Sequence, residues 1–259
     1  MMEIVLFQIK KASKYKMQLF MDVINVVLNF SVQYFLWKTI MTDHSLYFDN
    51  LNEVILYYFI IAVLSVLLKC NASDIAEAFK HGRVDREIIR PIHMFEMKML
   101  ENIYTNLFLF ICTFPILLVL VIVGCKGDFS SFNFVSIVMF LISICFGYFI
   151  YYCIDFLIGL MALLIDEIWA IRGVVSFCIN MVAGYYLPIG MFPAQVITLL
   201  EFTPFYYIYY LPTLLITGQR SLSFVANKFA IMIVWSMTLY VISKVVFKRL
   251  IRRYTAFGG

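Results

Sequence analysis

The chain has 259 residues, 63% of them hydrophobic and only 14% charged, with a mean hydropathy of +0.92 and a formal net charge of +4. A soluble globular domain is excluded, because 20 basic and 16 acidic side chains cannot cover that much apolar surface when soluble chains carry roughly 25% charged residues. Lipid must be the solvent, and a hydrocarbon core about 30 Å thick asks for about 20 apolar residues per helical span.

Residues 1–17 place a short apolar patch, Ile4 to Ile9, ahead of Lys10, Lys11, Lys14 and Lys16. A secretory signal has the reverse order, so this segment is expected to be retained as an interfacial helix at an anionic leaflet. Hydropathy then predicts spans from about Gln18 to Ile40, Val54 to Cys70 and Ile103 to Gly124, and a last one from Phe229 to Phe247. Between these, Phe132 to Ile165 is an apolar run of 34 residues. As one helix it would be about 51 Å long, more than the bilayer core. It is expected to tilt, to extend beyond the membrane, and to turn at Asp166-Glu167 into a fifth span over Ile168 to Leu187. The expected fold is therefore all-α: one polytopic membrane domain over residues 1–259 with six transmembrane helices.

The basic residues orient it. With both termini cytoplasmic, the inner side receives the four N-terminal lysines, then Lys69, Lys80, Arg83, Arg86, Arg90 and Lys98, then Arg172, then Lys244, Lys248, Arg249, Arg252 and Arg253. Only Lys38, Lys126, Arg220 and Lys228 fall outside, as the positive-inside rule requires. The net charge thus reports leaflet preference and needs no nucleic acid.

Two connections are more than loops. Residues 71–91 read as a cytoplasmic helix from Ala72 to His81. Asn71 or Ser73 can cap it, Asp74 and Glu77 sit in its positive first turns, Lys80 and His81 lie at its negative end, and Gly82 stands at C′. Ile75 and Phe79 share a face that is either tucked under the membrane or offered to a partner. Residues 184–228 hold four of the six prolines, Pro188, Pro193, Pro204 and Pro212. Proline inside a span removes a backbone bond that lipid cannot replace. The segment is expected to dip into the outer leaflet as short re-entrant helices, with Tyr185, Tyr186, Tyr206, Tyr207, Tyr209 and Tyr210 in an interfacial belt.

Chemistry is sparse. There is no Gly-Lys dipeptide and hence no phosphate-cradling Walker loop, and no H-E-x-x-H or G-x-S-x-G motif. His44, His81 and His93 are dispersed. The six cysteines, Cys70, Cys112, Cys125, Cys145, Cys153 and Cys178, are scattered without a C-x-x-C pair and read as small hydrophobes. No catalytic residue, metal site or chain-bound cofactor is expected. Charges inside apolar runs are the remaining lead, since one at the bilayer centre costs at least about 2.5–3.5 kcal/mol. Asp22, Asp155 and Glu201 are the candidates for a transport path, each set against a structural reading. Asp22 can pair within its lysine-rich surroundings, Arg172 can pair with Asp155, Asp166 or Glu167, and Glu201 can be a simple interfacial carboxylate.

Three stretches taken together carry a family resemblance: Gly82-Arg83-Val84-Asp85 through Ile89-Arg90-Pro91-Ile92, Gly184 through Pro193, and Thr203-Pro204-Phe205 through Pro212. In order and spacing they resemble the permease subunits of type-2 ABC exporters, in the branch of roughly 260 residues. The resemblance implies that the 71–91 segment is a coupling helix for a separate ATPase. Ile75 and Phe79 would be its apolar anchor, and Asp74, Glu77, Arg83, Arg86 and Arg90 its charged contacts. It also implies two ATPase copies that bind ATP and Mg, a second permease of the same or a related chain, and a path along spans one, two and five. The cargo would be hydrophobic or amphipathic, crossing the plasma membrane. The rival is a stand-alone secondary transporter or channel that uses Asp22, Asp155 or Glu201 as ion-binding carboxylates. Such proteins often carry inverted repeats and helices broken near the midplane. This sequence shows no repeat, and its proline breaks are expected near the outer border.

Overall fold

A computed structural model describes residues 16–43, 51–71, 76, 94–124, 133–161, 168–217 and 222–251. Among these residues the fold is all helical, without a strand. The helices are α1 (Lys16–Asp43), α2 (Leu51–Leu67), α3 (Met94–Gly124), α4 (Phe134–Leu160), α5 (Ile168–Val182), α6 (Ala194–Glu201), α7 (Tyr210–Thr217) and α8 (Leu222–Ile251). Single 3-10 turns, Ile189–Met191 and Phe205–Tyr207, precede α6 and α7.

Four of these helices, α1, α3, α4 and α8, are long and apolar enough to cross a membrane, and α2 and α5 are shorter apolar helices. Their surfaces explain the composition. Phe20, Val32 and Phe35 of α1, Ile111, Val119 and Ile122 of α3, and Val234, Met237 and Val241 of α8 all point outward. Apolar faces of that extent match lipid rather than water. The shorter α2 is apolar on all sides, and Val54, Ile55, Tyr57, Tyr58, Ile60, Ile61, Leu64 and Val66 are buried, as expected for a helix enclosed by others.

Side-chain pairs set the directions. Phe59 of α2 meets Phe114 of α3, and Phe95 of α3 meets Tyr152 of α4, each between antiparallel neighbours. Along α4 and α8 the pairs advance together, Phe149 with Tyr240 and Phe156 with Phe247, so these two helices run parallel. The tyrosine hydroxyls of α4 fasten it to α3. Tyr152 donates to the Phe95 carbonyl at 2.8 Å, and Tyr148 donates to that of Met99 at 3.2 Å.

Several boundaries differ from the sequence reading. α3 begins at Met94 rather than near Ile103, because its charged first turns find partners: Lys98 with Glu101 at 3.2 Å, and Glu96 with Lys244 of α8 at 2.5 Å. The ammonium of Lys244 lies 5.4 Å from the ring centres of both Phe95 and Tyr240. α4 has 27 residues, about 40 Å at 1.5 Å per residue, so it is shorter than the full apolar run. α5 stops at Val182, and Gly184 turns the chain at φ +88, a left-handed geometry that favours glycine.

Candidate functional site

The segment between α5 and α8 is built from its prolines. Pro188, Pro193 and Pro204 each stand at the N-cap of a short helical element, and Pro212 falls near the start of α7. Proline is harmless at a helix start, where its missing N–H would lack an intrahelical partner anyway. Read from sequence as breaks, these prolines act as starts.

This segment is fastened to most of the bundle. The Tyr57 hydroxyl donates to the Gly184 carbonyl at 2.6 Å, the Tyr58 hydroxyl donates to the Tyr186 carbonyl at 2.9 Å, and Trp37 Nε1 of α1 donates to the Tyr58 oxygen at 2.6 Å. Trp235 of α8 donates to the Phe202 carbonyl at 2.9 Å. The closest approach is to α4. A Cβ on Gly147 would lie 2.8 Å from the Tyr207 carbonyl oxygen and 3.3 Å from that of Ile208. Gly147 is the middle residue of α4, about 20 Å from either end. The Phe205–Tyr207 turn therefore reaches the midpoint of a helix long enough to span a bilayer. The expected tyrosine belt needs correction here: Tyr206, Tyr207, Tyr209 and Tyr210 are buried, packed among themselves and against Tyr151 and Tyr185. Their rings fill the contact with α2 and α4 instead of facing headgroups.

Glu201 ends α6 and pairs with Lys228 of α8 at 2.7 Å. Lys228 is only 6% exposed and lies over the rings of Tyr206 and Phe224, at 5.4 and 5.3 Å. The pairing had a sequence signal, because Glu201 is the sole acidic residue in 184–228.

The other two candidate carboxylates converge on the far end of α2. Asp22 of α1 pairs with Lys69, just past the end of α2, at 2.8 Å. Asp155, whose side chain is 5% exposed, lies 3.9 Å from Arg172 Nε. Arg172 also donates from Nη1 to Asn71 Oδ1 at 3.0 Å and from Nη2 to the Cys70 carbonyl at 2.9 Å. Asn106 of α3 donates to the carbonyls of Leu67 and Lys69, at 3.0 and 2.7 Å. Hydropathy gives no sign of Asn106 or Asn71, whose roles depend on backbone oxygens at a helix end.

Just beyond this end, Ala76 is helical and buried against Ile158, with Ile154 and Val175 packed beside them. Asp74, Ile75, Glu77, Phe79, Arg83, Arg86 and Arg90 lie outside the described residues, as does the segment 1–15. Cys70 and Cys153 are buried free thiols. Among the described residues no group of three His, Cys, Asp or Glu side chains could hold a metal ion.

Residues 27–258 match the family described as ABC-2 family transporter protein. No curated protein matches the chain.

Proposed function

Since the chain belongs to the ABC-2 family of transporter proteins, and is thus a multi-pass membrane component of an ABC transporter, we propose that it is the permease half of an exporter whose ATPase is a separate subunit. The family match over nearly the whole length carries this reading. The missing Walker loop agrees with it, since a chain without one depends on another polypeptide for ATP by that route. In the full assembly two permeases, identical or related, stand on two ATPase copies that bind ATP and Mg. Counting the short α2 and α5 as crossing gives six spans, and the distribution of basic residues supports cytoplasmic termini and a complex in the plasma membrane.

The 71–91 segment is the coupling element in this reading. It leaves α2 at the end held by Asn106 and Arg172, and the burial of Ala76 against α4 and α5 seats its root on the bundle. Ile75 and Phe79 anchor it in the ATPase, and Asp74, Glu77, Arg83, Arg86 and Arg90 make its charged contacts. The 184–228 segment is re-entrant and lines the exit. The outward apolar faces of α1 and α5, with Phe35, Val174 and Phe177 exposed, favour a second permease beside them and a hydrophobic or amphipathic cargo between the two.

The ion-coupled alternative needs a carboxylate able to take up a cation, and Asp22, Asp155 and Glu201 each already face a basic side chain. The deciding experiment is co-purification. Phe79→Asp is expected to abolish recovery of an ABC ATPase with the tagged permease. Retention of the ATPase by this variant would remove the coupling assignment.

A further inference from the structure

The end of α2 is held more tightly than a helix end requires. The last carbonyls of a helix have no intrahelical partner and usually turn to water or a local cap. Here side chains from two other helices hold the last carbonyl and the residues just past it: Asn106 of α3 takes those of Leu67 and Lys69, and Arg172 of α5 takes that of Cys70. Asp22 of α1 pairs with Lys69, and Asp155 of α4 faces Arg172. Four helices thus meet where the chain leaves the bundle for the 71–91 segment.

Arg172 stands apart among these residues. Its planar fork spans two acceptors on successive residues, the Cys70 carbonyl and the Asn71 side chain, while Nε faces Asp155. A guanidinium holds several partners in one plane, and a lysine ammonium does not. The α2 exit is therefore tied to α4 through a single rigid group. From Asp155 to Gly147 along α4 is eight residues, about 12 Å, and at Gly147 the helix backbone presses on the carbonyls of Tyr207 and Ile208 with no side chain between them. Close-packed contacts of this kind pass on a displacement instead of absorbing it.

We propose that Arg172 is a positioning residue that passes displacement of the 71–91 segment to α4, and through Gly147 to the re-entrant segment. The proposal rests on the coupling role assigned to 71–91. Its competitor is a static strap that only stabilises the bundle. The two differ in what they do to a nucleotide-dependent signal at the other end of the molecule.

Gln195 of α6 is exposed and belongs to the segment being moved. The full-length tagged chain carrying Gln195→Cys, in membranes with its co-purifying ATPase, would be labelled with a membrane-impermeant maleimide in ADP and in a non-hydrolysable ATP analogue. The labelling rate is expected to differ between the two nucleotides. Arg172→Gln and Arg172→Lys are each expected to abolish the difference while the ATPase remains bound. Asn71→Ala removes one arm of the fork, keeps every charge, and is expected to reduce the difference; it serves if the arginine variants do not accumulate. Variants with a lowered melting temperature but an intact nucleotide difference would establish the static strap and overturn the proposal. So would a parent chain that binds its ATPase and shows no difference. Absence of any ATPase on the parent, or its retention by Phe79→Asp, refutes the coupling reading instead.

Discussion

Gly147→Ala tests how the re-entrant segment is seated. The added methyl carbon would lie 2.8 Å from the Tyr207 carbonyl oxygen and 3.3 Å from that of Ile208, both backbone atoms. The turn cannot easily retreat. Its own bonds, Tyr207 N to the Pro204 carbonyl and Ile208 N to that of Phe205, close it at 3.3 and 3.1 Å, and Tyr206 and Tyr207 are buried behind it. Overpacking of this kind costs about 1–3 kcal/mol, and the better helix propensity of alanine returns about 1 kcal/mol. The net loss is therefore up to about 2 kcal/mol, or a fall of up to about 8 °C in melting temperature for a chain of this size. The matched control is Gly173→Ala on α5, where a Cβ meets nothing within 4 Å; only the propensity gain remains, and the melting temperature should hold or rise. Thermal unfolding in one mild detergent, followed by monodisperse elution, reads both. A Gly147→Ala protein that gains as much stability as Gly173→Ala would refute the close packing of the turn on α4.

Glu201→Gln leaves Lys228 buried beside two rings without its carboxylate. Stranding a buried charge costs 3–5 kcal/mol in closed sites. Because Glu201 is partly exposed, a loss of about 2–3 kcal/mol is expected, and adding Lys228→Met should recover most of it. Melting temperatures of the single and double variants check this, and a double variant no better than the single one would contradict the pairing. Tyr58→Phe removes both the donor to the Tyr186 carbonyl and the acceptor of Trp37. It should cost about 1–3 kcal/mol and blue-shift no tryptophan except Trp37, as tryptophan emission with Trp37→Phe as reference would show.

Composition alone made lipid the solvent, and the apolar runs located every long helix to within a turn or two where no charge intervened. The errors fall where a polar residue finds a distant partner. α3 starts early because Glu96 meets Lys244, a residue 148 positions away. The tyrosines of 206–210 read as an interfacial belt because aromatic residues beside prolines suit headgroups as well as a core, and only the arrival of Gly147 decides between the two. Arg172 had three possible acidic partners in the sequence, Asp155, Asp166 and Glu167, and its place facing Asp155 depends on the end of α2 lying beside α5.

Hydropathy, helix-start signals and the distribution of lysine and arginine are properties of neighbours in sequence. They were enough to determine an all-helical membrane chain, a proline-interrupted segment that does not cross as one helix, and the family to which its motifs point. Which carbonyls Asn106 holds, which carboxylate Arg172 faces, and how deep the Phe205–Tyr207 turn descends were decided only by tertiary packing. Each depends on side chains from separate helices meeting within about 3–4 Å, the range in which hydrogen bonds and ion pairs form, and a one-dimensional pattern carries no record of those meetings.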